Sequence, residues 1–272
     1  MQVNRSRLIT PFSDALSDIN ASLKNSHIFL TIGWQDVATR YRRSRVGAFW
    51  LTINMLVMVT VLGTVFSTLF RSPASEFLPS IAVGIVIWGF ISGIITEGCE
   101  AYSSVRESVL QVKMPLSIHI FRVIVRNTII FGHNFIIIPL VFIFFMKPVD
   151  ITALLSLLGV MLIIINTTWM VFFISIICTR YRDMTQVLQN VMQVLFYVTP
   201  IIWSSEMLPD RYEQSVLYWN PFYHLLTVVR APLLGEYPTT LNWLIPVIMA
   251  IVGWFFAIMF FNIYRKRIPY WL

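Results

Sequence analysis

Histidine, cysteine and the acidic side chains are the groups here that could carry chemistry, and their placement carries little of it. His27, His119, His133 and His224 are scattered along the chain. Cys99 and Cys178 form no C-x-x-C pair and no Cys/His spacing that would hold zinc. Each cysteine lies near the end of an apolar run, where a thiol packs as a small hydrophobe. None of the four lysines follows a glycine, so the G-x-x-x-x-G-K-[ST] loop that cradles nucleotide phosphates is missing. G-x-S-x-G and H-E-x-x-H are missing too. Glu97, Glu100 and Glu107 suit one helix but have no partner motif. His133, beside Asn134 in an apolar run, is either a functional polar residue or a hydrogen-bond partner for a neighbouring helix. The chain reads as non-catalytic, without a metal or cofactor site of its own.

The elements around these residues explain why. The 272 residues are 57% apolar and 12% charged, with a mean hydropathy of +0.73. Soluble domains run near about 25% charged, so a soluble enzyme, a disordered regulator and a free nucleic-acid-binding domain are excluded. At about 20 apolar residues per helical span, the sequence holds six spans, near residues 49–70, 77–96, 127–146, 151–179, 187–203 and 241–264. The runs are continuous instead of alternating, which excludes a membrane barrel, and a helix satisfies its own backbone in lipid. Residues 1–48 are polar and show no early apolar core with a small-residue cleavage site. The domain reading is therefore an N-terminal region (1–48), a six-span domain (49–264) and a short tail (265–272).

The net charge of +7 follows from orientation. Sixteen of the twenty basic residues fall in the N-terminal region, the second-to-third and fourth-to-fifth connections, and the tail. Only Arg71, Lys147, Arg211 and Arg230 fall on the other side. By the positive-inside rule both termini face the cytoplasm. The charged residues left inside spans are too few for ion coupling, and residues 49–146 show no similarity to 151–264. A self-powered carrier is disfavoured, so the energy must come from a partner.

Between the spans, Ile28, Phe29, Ile32, Trp34, Val37, Ala38 and Tyr41 recur at helical spacing, with Asp36 and Arg40 four apart. This is an amphipathic helix, lying in the membrane interface or packed on the rest of the protein. The second-to-third connection, 97–126, holds a short exposed helix over Ser104–Lys113 or else is an ordinary loop. The fifth-to-sixth connection, 204–240, is rich in aromatics and proline and should form short re-entrant or interfacial helices. Gly89 and Gly93 form a G-x-x-x-G that serves helix packing within one subunit or between two. The tail Arg265-Lys266-Arg267 is a stop-transfer end.

Four segments, in order, resemble a known family. They are Asp36-Val37-Ala38-Thr39-Arg40-Tyr41-Arg42-Arg43-Ser44-Arg45-Val46-Gly47-Ala48-Phe49-Trp50, Val112-Lys113-Met114-Pro115, Arg182-Asp183-Met184 before a span ending Thr199-Pro200-Ile201, and Trp219-Asn220-Pro221-Phe222-Tyr223-His224-Leu225 followed by Arg230 and Gly235. Over nearly the whole chain this is similar to the membrane subunit of ABC-type polysaccharide exporters, which move lipid-linked O-antigen, capsule or teichoic-acid chains.

The resemblance implies a homodimer in the bacterial inner membrane, paired with two separate ATPase subunits that bind ATP and magnesium. It implies that a coupling helix over Ser104, Val105, Arg106, Val109, Leu110, Lys113 and Met114 docks into the ATPase. The interface helix with Trp34, Asp36, Arg40, Arg42 and Arg43 would assist. Met55, Met58, Phe66, Tyr197 and Trp203, on the first and fifth spans, would line a channel for the lipid-linked polysaccharide. Trp219, Asn220, Pro221, Tyr223 and Arg230 would form the external element. O-antigen is the expected cargo. The alternatives are export of a drug or small lipid, a membrane-embedded transferase, and a structural membrane protein.

Overall fold

The computed structural model describes residues 12–42, 46–47, 49–203 and 217–272. Every regular element among them is helical. Two helices, α1 (Ser13–Lys24) and α2 (Ser26–Tyr41), precede α3 (Phe49–Leu69) and α4 (Ala74–Cys99). A 3-10 turn (Ser103–Val105) leads into α5 (Arg106–Gln111), then α6 (Ser117–Phe135) and α7 (Ile137–Phe144). After a second 3-10 turn (Ile151–Leu154) come α8 (Leu155–Arg180) and α9 (Asp183–Val198). The chain closes with α10 (Pro221–Leu233), α11 (Thr240–Tyr264), a 3-10 turn (Arg265–Arg267) and α12 (Ile268–Trp271).

Five helical segments are long and apolar enough to cross a membrane: Phe49–Leu69, Ala74–Cys99, Ser117–Phe144, Ile151–Arg180 and Thr240–Trp271. At 1.5 Å per residue, the 21 residues of α3 span about 31 Å, close to the hydrocarbon core. The third of these begins ten residues before the expected position of 127. Its two basic residues, Arg122 and Arg126, lie inside α6 and are paired there, so the pattern of charge mistook a helix turn for a loop. Pro139 lacks the N–H that would bond the Phe135 carbonyl, which accounts for the break between α6 and α7.

The expected fifth span, 187–203, is different. Helix α9 starts at Asp183 and stops at Val198, and its 16 residues reach only about 24 Å. Pro200 sets the limit, because the residue before a proline is driven out of the helical region, and Thr199 adopts ψ 137°. Ile201 and Ile202 are nonetheless buried. Non-helical backbone at such depth is tolerated only where protein covers it.

Helix α4 covers this turn on one side, where a Cβ on Gly84 would lie 2.9 Å from the Ile201 carbonyl oxygen. Helix α10 packs against α8, α11 and α4, with Leu225, Leu226, Val228 and Val229 buried. The close approach to α8 requires Gly159: a Cβ there would lie 2.6 Å from the Val228 carbonyl oxygen. Helix α4 is the centre of the molecule, apolar all round and buried from Ile81 to Trp88. Gly89 and Gly93 on α4 meet Met55 of α3 and Asn127 of α6, so these glycines serve packing inside one chain.

At one end of the bundle, α2 lies along α6 with Phe29, Gly33 and Val37 buried, while Trp34 is 61% exposed. Helix α1, which the sequence pattern did not separate from its surroundings, bridges α6 and the end of α11. The tail is also more than a stop. Arg265 donates to the Asp14 carbonyl and pairs with the Asp18 carboxylate at 3.5 Å, and Lys266 pairs with Asp14 at 2.9 Å.

Candidate functional site

A helix begins with backbone N–H groups that have no partner inside it. At the start of α6 that partner comes from α1. The Asp18 carboxylate accepts from the Leu116 amide at 3.2 Å, the Ser117 amide at 3.0 Å and the Ser117 hydroxyl at 2.6 Å. Tyr102 sits in the same region, fully buried, and burial pushes its phenol well above the usual range, with the nearby Asp18 charge adding to the shift.

One turn further on, an ionic junction joins α2, α4 and α6. Arg122 Nε lies 2.9 Å from Asp36, and Arg126 reaches Asp36 at 3.5 Å and Glu97 at 2.6 Å. Asn127 donates to Glu97 at 2.6 Å. Arg40 approaches Glu97 at 3.9 Å from a mostly exposed position, so it adds little. Two carboxylates thus neutralise two guanidiniums, one of which is only 7% exposed. Buried charge is tolerated when it is paired in this way, and removing one partner is costly.

The cytoplasmic-type helix expected over 104–113 is shorter than the sequence suggested. Ser104 and Val105 belong to the 3-10 turn, Arg106, Val109 and Leu110 to α5, and Lys113 and Met114 follow it, beyond the extended Val112. Leu110 and Val112 are half exposed, whereas Val109 packs against the core. Within the interface helix, Trp34 and Arg40 face outward and Asp36 faces the junction. Arg42 is exposed just past α2, and Arg43 lies outside the described residues.

Two cavities flank α9. The first, about 600 Å³ at the same end as α5, is lined by Glu100, Arg106, Arg182, Thr185, Gln186 and Gln189 among others. The second is a groove of about 390 Å³ between α3, α4 and α9, lined by Met55, Met58, Trp88, Ser92, Met192, Gln193 and Phe196. The structure therefore brings the expected channel residues Met55 and Met58 together with α9. Tyr197 is exposed at the end of α9, and its carbonyl accepts from Trp203 Nε1 at 3.1 Å. Phe66 is elsewhere, near the far end of α3, with its ring 5.7 Å from that of Phe70 at a tilt of 31°.

At the opposite end of the bundle from α5, the Trp219–Gly235 segment follows local rules. Asn220 caps α10 by accepting from the Phe222 amide at 3.0 Å and donates to the Thr199 hydroxyl at 2.9 Å. Pro221 occupies the first helical position, where its missing N–H costs nothing. His224 bonds Asn242 at 2.9 Å and the Tyr218 carbonyl at 3.0 Å. Arg230 donates to the Pro200 carbonyl and to Ser80, which ties α10 to the α9 break and to α4. Gly235 ends the segment at φ 86°. Trp219 is 85% exposed. Tyr223 and Arg230 line a polar cavity of about 240 Å³ together with Glu236, Tyr237 and Asn242.

Asp18, Asn242 and the pairing role of Arg122 were not singled out from the sequence, and His224 was given no role of its own. The available signal was polarity inside or beside an apolar run, and His133 shows how weak that signal is. Its ring bonds the Ile129 carbonyl one turn earlier in the same helix at 2.9 Å, and only its backbone carbonyl meets a second helix, accepting from Thr52 at 3.0 Å.

Known proteins place this arrangement in a family. Residues 27–234 match the model of the ABC-2 type transporter. The chain is 23% identical over 248 residues to an O-antigen export system permease protein, RfbA, of Klebsiella pneumoniae, covering 88% of this chain and 91% of that protein. A protein of the same name from Myxococcus xanthus is 22% identical over 209 residues, covering 75% and 79%. The match runs from α2, through the ionic junction and the groove between α3, α4 and α9, to the end of α10, and by it the chain belongs to the ABC-2 type transporter family.

Proposed function

We propose that this chain is the membrane permease of an ATP-driven exporter that moves lipid-linked O-antigen across the bacterial inner membrane. The observation that carries the reading is the end-to-end similarity to the O-antigen export permeases, 88% of one chain against 91% of the other. The geometry supports it. The half-exposed Leu110 and Val112 at α5 and the two cavities that flank α9 offer room for a partner and for a cargo.

In this reading the chain forms a homodimer with two ATPase subunits, which bind ATP and magnesium. The exposed α5, with Leu110 and Val112, docks into the ATPase. The junction of Asp36, Glu97, Arg122 and Arg126 makes α2, α4 and α6 move together when the ATPase closes. Helix α9, completed by the buried turn at Thr199–Trp203 and by α10, serves as a fifth crossing. Both termini then lie in the cytoplasm. The contacts of Asp14 and Asp18 with Arg265 and Lys266 support an even number of crossings, because they hold the two ends of the chain together. Met55, Met58 and Tyr197 line the passage.

Deleting the gene tests the reading. Loss of surface O-antigen with lipid-linked polymer accumulating inside the cell is the expected result. Unchanged surface O-antigen would overturn it. In the purified complex, ATPase activity should rise with lipid-linked glycan and not with hydrophobic drugs; the reverse would favour a drug or small-lipid exporter.

A further inference from the structure

Helix α9 presents three chemically distinct faces. Met184, Leu188, Met192 and Leu195 turn toward the bundle. Val187, Val191, Val194 and Val198 form an exposed apolar line at i, i+4, i+7 and i+11. Beside it, Gln186, Asn190, Gln193 and Tyr197 form an exposed polar line at the same spacing, with Gln189 on its flank. Side chains so spaced share one side of a helix.

Each amide offers two donors and an acceptor. Along this line, only one bond joins them to each other, from Gln186 Nε2 to Asn190 Oδ1 at 3.2 Å. Hydrocarbon cannot satisfy the remainder, so water, a polar ligand or a second copy must. The two ends of the line favour a ligand-filled passage. Gln186 and Gln189 line the cavity of about 600 Å³ beside α5, and Gln193 lines the groove with Trp88 and Phe196. The polar line therefore connects one cavity to the next. The valine line next to it has the composition that a helix seam or lipid contact requires.

We propose that Gln186, Gln189, Asn190 and Gln193 form a track that contacts the hydroxyl groups of a glycan as it passes along α9. The proposal rests on the export reading above and adds to it the residues that meet the sugar and the chemistry of the contact. Amides donate and accept as sugar hydroxyls do, and carry no charge that would hold one ring in place. Each contact exchanges for a contact with water, so its net strength is small, as a sliding polymer requires. Phe196, half-buried and backed by the buried Trp88 at 6.2 Å, offers an apolar surface for the C–H side of a sugar ring at the end of the track.

The test uses the full chain with its ATPase in native membranes, in a Cys99→Ala, Cys178→Ala background. Single cysteines replace Gln186, Asn190 or Gln193, and in parallel Val187, Val191 or Val194. A charged methanethiosulfonate reagent reacts only with thiolates that water reaches. The amide positions should label and the valine positions should not. Labelling at the amide positions should fall several-fold when lipid-linked glycan is added without ATP. The track is overturned if the valine positions label as fast or if glycan gives no protection. As a second arm, Asn190→Leu and Gln193→Leu chains that assemble normally with the ATPase should export several-fold less glycan; unchanged export also overturns the track. Failure of the export reading itself would show separately, as normal surface glycan in cells lacking the chain.

Discussion

At the scale of single residues, the Asp36–Arg122 pair is the most exacting contact in the molecule. Arg122 is 7% exposed, and its nearest counter-charge is 2.9 Å away on a helix 86 residues earlier in the chain. Asp36→Ala leaves that guanidinium buried without its partner, a change that costs about 3–5 kcal/mol. The expected outcome is a lower unfolding temperature in detergent and reduced assembly with the ATPase. Adding Arg122→Met should recover much of the loss, because a buried pair replaced by apolar groups is often close to neutral. Equal instability of the single and double variants would show that the pair is not coupled. Asp36 was visible in the sequence as one member of an i, i+4 pair with Arg40. Its actual partner was not, since helical spacing reports neighbours on one helix and says nothing about a second helix.

At the scale of elements, proximity between helices decides tolerance. Gly159→Val would place side-chain atoms against the Val228 carbonyl, where even a Cβ lies at 2.6 Å, and α10 would be pushed out of its place against α8. Folded yield should fall sharply by size-exclusion chromatography, whereas Gly132→Ala, with nothing within 4 Å of the new Cβ, should leave it unchanged. Helix α5 makes the opposite point. Leu110 is half exposed at its surface, so Leu110→Asp should leave the isolated permease folded while co-purification of the ATPase is lost. Intact co-purification would remove α5 as the docking helix. Val109 is unsuited to the same test, because it packs against the core and a charge there would unfold the region. The sequence located a short helix here but set it too long, since Ser104 and Lys113 are as compatible with a helix as with a turn.

At the scale of the whole molecule, the joining of the two chain ends constrains topology. Asn262 accepts from the Ala15 amide at 3.0 Å, and Lys266 meets Asp14 at 2.9 Å, so residues on α1 and at the end of α11 share one side of the bundle. Tags placed at both termini should therefore be accessible to protease from the same face of sealed membrane vesicles, the cytoplasmic one. Tags accessible from opposite faces would exclude six crossings. With five long apolar helices, this parity depends on α9 and the segments after it. A 16-residue helix cannot cross alone, and the turn where α9 ends is held by Gly84 of α4 against Ile201 and by Arg230 of α10 on the Pro200 carbonyl.

The sequence by itself determined the material of this protein. Continuous apolar runs in a chain with 12% charge read as membrane helices, and the lopsided placement of Lys and Arg gives an expected orientation. These properties are local or additive, so a linear reading recovers them. Only the tertiary structure decided that Arg122 and Arg126 are buried partners and not loop charges, that Asp18 caps a helix 98 residues away, and that Pro200 ends α9 where Arg230 of α10 bonds its carbonyl. Each depends on which distant segments approach within hydrogen-bonding distance, and that is set by the packing of α4 against all its neighbours at once.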